Sequence, residues 1–196
     1  MSNDNLFIIH GIAGIVPMMK EHLIPELEKR FNVYTPLFPI EEEATYNKWE
    51  TIMDNYFEQG LLNEGTIVIT HSLGSIFFPR YLADRKVKIK LFISLAGSLL
   101  NNFTDENYLK RVIDDFRPTQ EQIKQAIEYM PIRYALYSDN DHFFDKMMLE
   151  NYAKQYEAEK VLIPGVAHMG RTSGITKLPE VLDVIDKEVN QIKKGK

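Results

Sequence analysis

The chain has 196 residues, no cysteine and a net charge of −5, and 44% of its residues are hydrophobic. The length favours one domain spanning residues 1–196, and the missing cysteine excludes a thiol nucleophile, a thiolate metal site and a disulfide. Because no long basic run is present, we expect neither nucleic acid nor a membrane surface as a partner. We expect a cytoplasmic protein, since no basic, apolar leader and no apolar run of about 18 to 20 residues occurs.

Six short runs of mainly β-branched, aromatic and other apolar residues are predicted to be strands, at residues 6–10, 32–35, 66–70, 90–95, 132–138 and 160–163. Several are apolar throughout, which is typical of parallel strands that are buried on both faces. Strands that alternate with helices build right-handed βαβ units. The sequence therefore predicts an α/β fold with about six parallel strands between two helix layers, a three-layer αβα sandwich.

The helices are predicted between these strands. The first begins at Pro25, which suits a first helical position, and the others cover residues 44–59, 73–84, 104–116, 119–129, 144–156 and 176–192. Pro79 lies inside the helix at 73–84 and predicts a kink or a broken turn, because proline lacks the N–H that a helix needs. No insertion is long enough for a large lid, so we expect little or no lid.

Polar residues follow four of the predicted strands, at positions 10–11, 71–72, 138–141 and 165–168. Ligands of open parallel sheets bind at the carboxyl ends of the strands. The strongest pattern is VITHSLGS at residues 68–75, where a strand runs into Ser72 and then a helix. This is the arrangement of a nucleophile elbow, whose sharp turn exposes a serine hydroxyl. Gly74 is the small residue that the turn needs, whereas Thr70 stands where glycine is usual.

Backbone amides close to Ser72 are candidate oxyanion-hole donors. The Leu73 amide lies at the start of the helix that follows Ser72. A second donor is expected from the loop after the first strand, where we favour the Ile12 amide, with Gly11 as its substitute. Loss of one such donor typically costs about 2.7 to 4 kcal/mol of transition-state stabilisation.

A serine hydroxyl is a weak nucleophile until a base removes its proton. Of the five histidines, His168 is the candidate base, because its loop after the last strand can reach Ser72. A carboxylate must then fix the tautomer of this histidine. Asp141 is the first choice and Asp139 the alternative, and spacing alone does not separate them. The chain order of serine, aspartate and histidine is that of the α/β-hydrolases.

Five residues are expected to line the substrate pocket of this site: Gly97, Ser98, Leu99, Phe143 and Met169. Without a lid, we expect a shallow cleft for small esters or amides with short or activated acyl chains. No cofactor and no metal is expected, because the loop at residues 10–14 lacks the P-loop spacing and the third glycine of a dinucleotide fingerprint.

Two other functions stay open. The first is a binding or interaction protein on a hydrolase fold, because fold does not imply function; a protein partner is possible but not indicated. The second is a metal-dependent hydrolase that uses His71, Asp141, His142 and His168. None of these residues shows metal-ligand spacing on one helix, and the elbow serine would have no role.

The chain resembles, over nearly its whole length, the small serine hydrolases that include bacterial YdeN-type proteins and the mammalian retinoblastoma-binding-protein type. The resemblance is carried by FIIHG at 7–11, IPELEKRF at 24–31, TPLFP at 35–39, Trp49, ITHSLGS at 69–75, YSDND at 137–141 and VLIPGVAHMG at 161–170. It implies an α/β-hydrolase core with an intact triad and a carboxylesterase-like or amidase-like activity on small acyl substrates. It also selects Asp141 over Asp139, although His142 stands where the family commonly has proline.

Overall fold

Six parallel strands form one sheet in this computed structural model, which describes residues 4–194. The strands are β1 (Asn5–Ile9), β2 (Asn32–Tyr34), β3 (Ile67–His71), β4 (Leu91–Leu95), β5 (Arg133–Tyr137) and β6 (Glu159–Leu162). Their order in the sheet is β2-β1-β3-β4-β5-β6, and every neighbouring pair is parallel. The prediction of six parallel strands is confirmed, and each strand end lies within one residue of its predicted position.

Helices cover both faces of the sheet. They are α1 (Ile24–Glu28), α2 (Tyr46–Glu58), α3 (Leu73–Arg85), α4 (Tyr108–Phe116), α5 (Gln120–Tyr129), α6 (Lys146–Gln155) and α7 (Pro179–Lys194). A π-helical turn, Met19–Leu23, runs directly into α1, so the helical backbone begins before Pro25 rather than at it. Within residues 4–194, no helix combines the length and the apolar character that crossing a membrane requires.

Two hydrophobic cores lie on opposite faces of the sheet, because successive side chains of a strand point to opposite sides. Phe7 and Val68 pack in one core with α2 to α6, whereas Leu6 and Ile8 pack in the other with α1 and α7. This is the predicted three-layer αβα sandwich. The continuous apolar runs of the strands follow from it, since both faces of the central strands are buried.

Side-chain caps set several helix starts more tightly than periodicity predicted. The Asn107 side chain accepts a hydrogen bond from the Leu109 amide, so α4 begins at Tyr108 rather than at residue 104. The Asp145 side chain accepts from the amide of Met148 and starts α6 two residues later than predicted. Polar side chains at such positions satisfy amides that have no partner inside the helix.

Pro79 does not break α3, which runs continuously from Leu73 to Arg85. A proline at position 79 cannot donate the usual helical hydrogen bond to the carbonyl of Ser75, four residues earlier. The hydroxyl of the buried residue Tyr152, on α6, donates to that carbonyl instead, at 2.7 Å. The expectation of a broken turn is therefore wrong, because a tertiary contact replaces the bond that proline removes.

Candidate active site

Ser72 lies between the end of β3 and the start of α3, on a sharply turned backbone with φ of 51° and ψ of −115°. Such a conformation costs a non-glycine residue about 1 to 3 kcal/mol and persists only where the surroundings enforce it. Gly74 makes the turn possible, because a Cβ atom at this position would lie 2.7 Å from the carbonyl oxygens of Ile9 and His10. The helix start therefore packs directly against the end of β1.

The structure also explains how the turn accommodates Thr70 in place of glycine. This side chain is fully buried, and its Oγ1 lies 2.8 Å from the Oγ of Ser75 on α3. The hydroxyl pair links the last part of β3 to the first turn of the helix across the elbow. Thr70 is thus satisfied inside the protein rather than crowded out of the turn.

The structure brings Ser72, Asp141 and His168 together. The Nε2 atom of His168 lies 3.0 Å from the Ser72 Oγ, and its Nδ1 lies 2.7 Å from the Asp141 Oδ2. Because a carboxylate only accepts, Nδ1 carries the proton and Nε2 is free to accept the serine proton. The side chain of Asp141 is 0% exposed and that of His168 is 8% exposed, so water has little access to either group.

Asp141 is held as an anion in this buried position. Burial alone would raise the pKa of the carboxyl, but the hydrogen bond and charge of His168 lower it, and the net pKa lies below its usual value. Its Oδ1 also accepts hydrogen bonds from the amides of Phe143 and Phe144, at 2.8 and 3.1 Å. Asp139, the alternative acid, accepts instead from the amide of Gly165 and makes no hydrogen bond to His168.

The loop that follows β5, residues 138–141, holds the loop that carries His168, which we call the histidine loop (residues 165–168), through four consecutive side chains. These pairs are Asp139 with the Gly165 amide, Ser138 with the Val166 amide, Asn140 with the Ala167 amide, and Asp141 with the His168 ring. Of this segment, the acid alone was predicted to belong to the site. Its run of four oxygen-bearing side chains was the signal that it also shapes the neighbouring loop.

A cavity of about 240 Å³ opens beside Ser72 and is lined in part by the three predicted oxyanion-hole residues Gly11, Ile12 and Leu73. The Ile12 carbonyl accepts a hydrogen bond from the Glu41 amide, which fixes this loop beside the elbow. Throughout residues 4–194, no hydrogen bond uses the amide of Ile12 or of Leu73. Both amides therefore have a donor to offer a ligand.

The lining of the cavity differs from the prediction, apart from Phe143. Gly97 packs beneath the elbow, where a Cβ atom would lie 2.8 Å from that of Ser75. Ser98 and Leu99 continue this buried segment, and Met169 is fully buried in the core on the opposite face of the sheet. Gly97 thus lies between Ser75 of α3 and Tyr152 of α6, and the segment after β4 is buried rather than part of the cavity lining.

Apolar side chains from distant parts of the chain line much of the cavity: Ile76, Phe103, Leu109, Ile113, Phe143 and Phe144. Leu109 and Ile113 come from α4, so this helix forms one wall of the site. Their four-residue spacing on an amphipathic helix was the sequence signal that could have identified them.

Comparisons with known proteins agree with this arrangement. A family model described as serine hydrolase matches residues 8–187. The fold is similar to that of the ydeN gene product from B. subtilis, at 20% identity and a TM-score of 0.76, covering 96% of this chain and 100% of that one. It is also similar to a carboxylesterase of Nitrososphaera gargenis (14% identity, TM-score 0.69, 99% and 92% covered) and to Est1E from Butyrivibrio proteoclasticus (18%, 0.68, 100% and 90%). No curated protein matches the chain. The predicted α/β-hydrolase fold is confirmed.

Proposed function

The chain belongs to the serine hydrolase family, and we propose that it cleaves small, uncharged carboxylic esters or amides through an acyl-enzyme intermediate on Ser72. The observation that carries the proposal is the series of contacts from Asp141 through His168 to Ser72, at 2.7 and 3.0 Å, beside an apolar cavity. A serine with a positioned base and a carboxylate behind it is the arrangement that activates a hydroxyl for acyl transfer.

In the first step, His168 Nε2 takes the hydroxyl proton of Ser72 as the serine oxygen attacks the substrate carbonyl. Asp141 holds the histidine in the required tautomer and stabilises the imidazolium that forms. The amides of Leu73 and Ile12 donate to the developing oxyanion. His168 then protonates the leaving group, which departs and leaves the acyl group on Ser72. In the second half, His168 takes a proton from water, and the resulting attack releases the acid and restores the serine.

The cavity favours an uncharged, apolar acyl group. Among the described residues that line it, Arg171 is the one with a fixed charge, and its guanidinium already donates to the Ala13 carbonyl at 2.7 Å. Each methylene moved from water into such an environment gains about 0.8 kcal/mol. Two additional methylenes, about 1.6 kcal/mol together, are therefore expected to raise kcat/KM about 15-fold from p-nitrophenyl acetate to p-nitrophenyl butyrate.

The proposal is tested by fluorophosphonate labelling of the wild type and of Ser72→Ala, measured by intact mass, beside turnover of the two p-nitrophenyl esters. We expect one adduct on the wild type, and loss of both adduct and turnover in the variant. No adduct on the folded wild type would overturn the proposal and would favour a binding or interaction protein on this fold.

The acid is tested by a matched pair of variants. Asp141→Asn removes the charge behind His168 and is expected to lower kcat about 10⁴-fold, the loss seen when a triad aspartate becomes asparagine. Asp139→Asn keeps an oxygen that can accept from the Gly165 amide, so kcat should stay within about threefold of the wild type. Equal losses in the two variants would contradict the assignment of Asp141.

A further inference from the structure

His71, the residue directly before Ser72, is a buried histidine that the proposed mechanism does not use. Its Nε2 lies 2.9 Å from the backbone carbonyl oxygen of His168. A carbonyl can only accept, so this nitrogen carries the ring proton and donates it. The other ring nitrogen, Nδ1, is buried and has no hydrogen-bond partner among the described residues. The polar contact of His71 within the protein is therefore directed at the residue that would act as the base.

The loop that carries His168 needs such support, because its backbone is strained on both sides of the histidine. Ala167 has a φ of 48° and Met169 a φ of 53°, which are left-handed conformations that non-glycine residues rarely adopt. Each costs about 1 to 3 kcal/mol and persists only where neighbouring groups enforce it.

The two strained residues are held from different directions. On the first side, the amide of Ala167 donates to the side chain of Asn140 at 2.8 Å. On the second side, the carbonyl that His71 holds belongs to the peptide between His168 and Met169, so the contact constrains the turn at Met169. The imidazole of His168 projects from the backbone between these two anchors.

We propose that His71 is a positioning residue, which fixes the backbone of His168 so that its Nε2 faces the Ser72 hydroxyl. The proposal rests on the proposed function, in which His168 is the base. It follows from the geometry that links the residue before the nucleophile to the backbone of the base, across 97 positions of sequence.

His71 is suited to this task rather than to proton transfer. The imidazole rings of His71 and His168 have centroids 5.1 Å apart, and the Nε2 proton of His71 is already donated to the backbone carbonyl of His168. Burial, and then the proximity of His168, lower the pKa of His71 to about 3. The ring therefore stays neutral at neutral pH and places no second positive charge beside the imidazolium that forms during catalysis.

A pair of substitutions tests the donor separately from the ring. His71→Leu removes the Nε2–H donor and fills its place with an apolar side chain. His71→Gln, in contrast, places an amide N–H near the position of the histidine Nε2. Both are compared with the wild type at pH 8.0 in p-nitrophenyl butyrate turnover. The fluorophosphonate adduct on Ser72 at saturation counts the folded, competent sites in each sample, so kcat is expressed per labelled site.

For His71→Leu we expect kcat per site and the labelling rate to fall about 10- to 100-fold, with KM within about twofold, because a small misplacement of a reacting group costs this much. His71→Gln should rescue most of the loss. Wild-type kcat in His71→Leu, or equal losses in both variants, would overturn the proposal. A wild type that neither labels nor turns over ester would overturn the proposed function and this proposal with it, whereas an active wild type with an insensitive His71 would overturn this proposal alone.

Discussion

Replacing His71 by glutamine is expected to make the protein more tolerant of acid. In the folded protein, burial and the neighbouring His168 lower the pKa of His71 from the ordinary value of 6.5 to about 3. Between these two values, the unfolded chain binds a proton at this residue that the folded protein does not bind. The free energy of unfolding therefore falls as the pH falls from 6.5 towards 3, and glutamine removes this contribution because it does not titrate.

The size of the effect follows from the two pKa values. At pH 7.5 the unfolded histidine is almost entirely neutral, so its contribution is close to zero. At pH 5.0 protonation of the unfolded chain lowers the free energy of unfolding by about 2 kcal/mol, from RT ln(1 + 10^1.5). In a protein of this length, such a change corresponds to about 4 to 8 °C in Tm.

Urea denaturation of the wild type and His71→Gln at pH 7.5 and 5.0 measures this difference directly. Between pH 7.5 and 5.0, the free energy of unfolding of the wild type should fall by about 2 kcal/mol more than that of the variant. His22→Gln, which removes a partly exposed imidazole from the π-helical turn before α1, is the control and should follow the wild type. Equal losses of unfolding free energy in the wild type and His71→Gln would contradict this prediction, because His71 would then have to bind its proton in the folded protein.

Three further substitutions test the packing around the elbow and the wall of the cavity. Tyr152→Phe removes the hydroxyl that donates to the Ser75 carbonyl and should lower the free energy of unfolding by about 1 to 3 kcal/mol. The loss should be smaller in a Pro79→Ala background, because the new amide of residue 79 can donate to the same carbonyl. Equal losses in both backgrounds would contradict this prediction. Gly74→Ala places a Cβ atom 2.7 Å from two carbonyl oxygens at the end of β1. It should lower the free energy of unfolding, measured in urea, by at least about 1 to 3 kcal/mol, and it should decrease the rate of fluorophosphonate labelling. Ile113→Trp fills the cavity wall and should remove the preference for butyrate over acetate in kcat/KM; an unchanged preference would place the acyl group elsewhere.

The strands could be predicted closely because each is short, strongly apolar and separated from the next by a segment with helical periodicity. Burial on both faces of a parallel sheet leaves this mark directly in the sequence. The choice between Asp139 and Asp141 could not be derived in the same way, because both follow β5 and both carry carboxylates. It depends on which side chain turns toward His168, and the structure places Asp141 there while Asp139 holds the Gly165 amide.

The cavity was harder to predict, because its walls come from contacts between distant elements. Residues 97–99 follow a strand at the correct edge of the sheet, yet they are buried outside the cavity lining, and Gly97 packs against Ser75 and Tyr152. The opposite wall comes from α4, whose approach to Ser72 depends on the path of the preceding loop. Pro79 gave a local signal for a broken helix, and the hydroxyl of Tyr152, 73 positions later, removes that effect.

Backbone strain next to the reacting groups connects these observations. Ser72, Ala167 and Met169 all have positive φ, and groups from other parts of the chain contact the backbone at each of these turns. Gly74 lets α3 press against β1, while the side chain of Asn140 and that of His71 hold the histidine loop. Local propensity alone would relax each of these turns, so the alignment of serine and histidine exists only when the sheet is assembled. The same contacts are therefore responsible for the stability of the loops and for the geometry of the site.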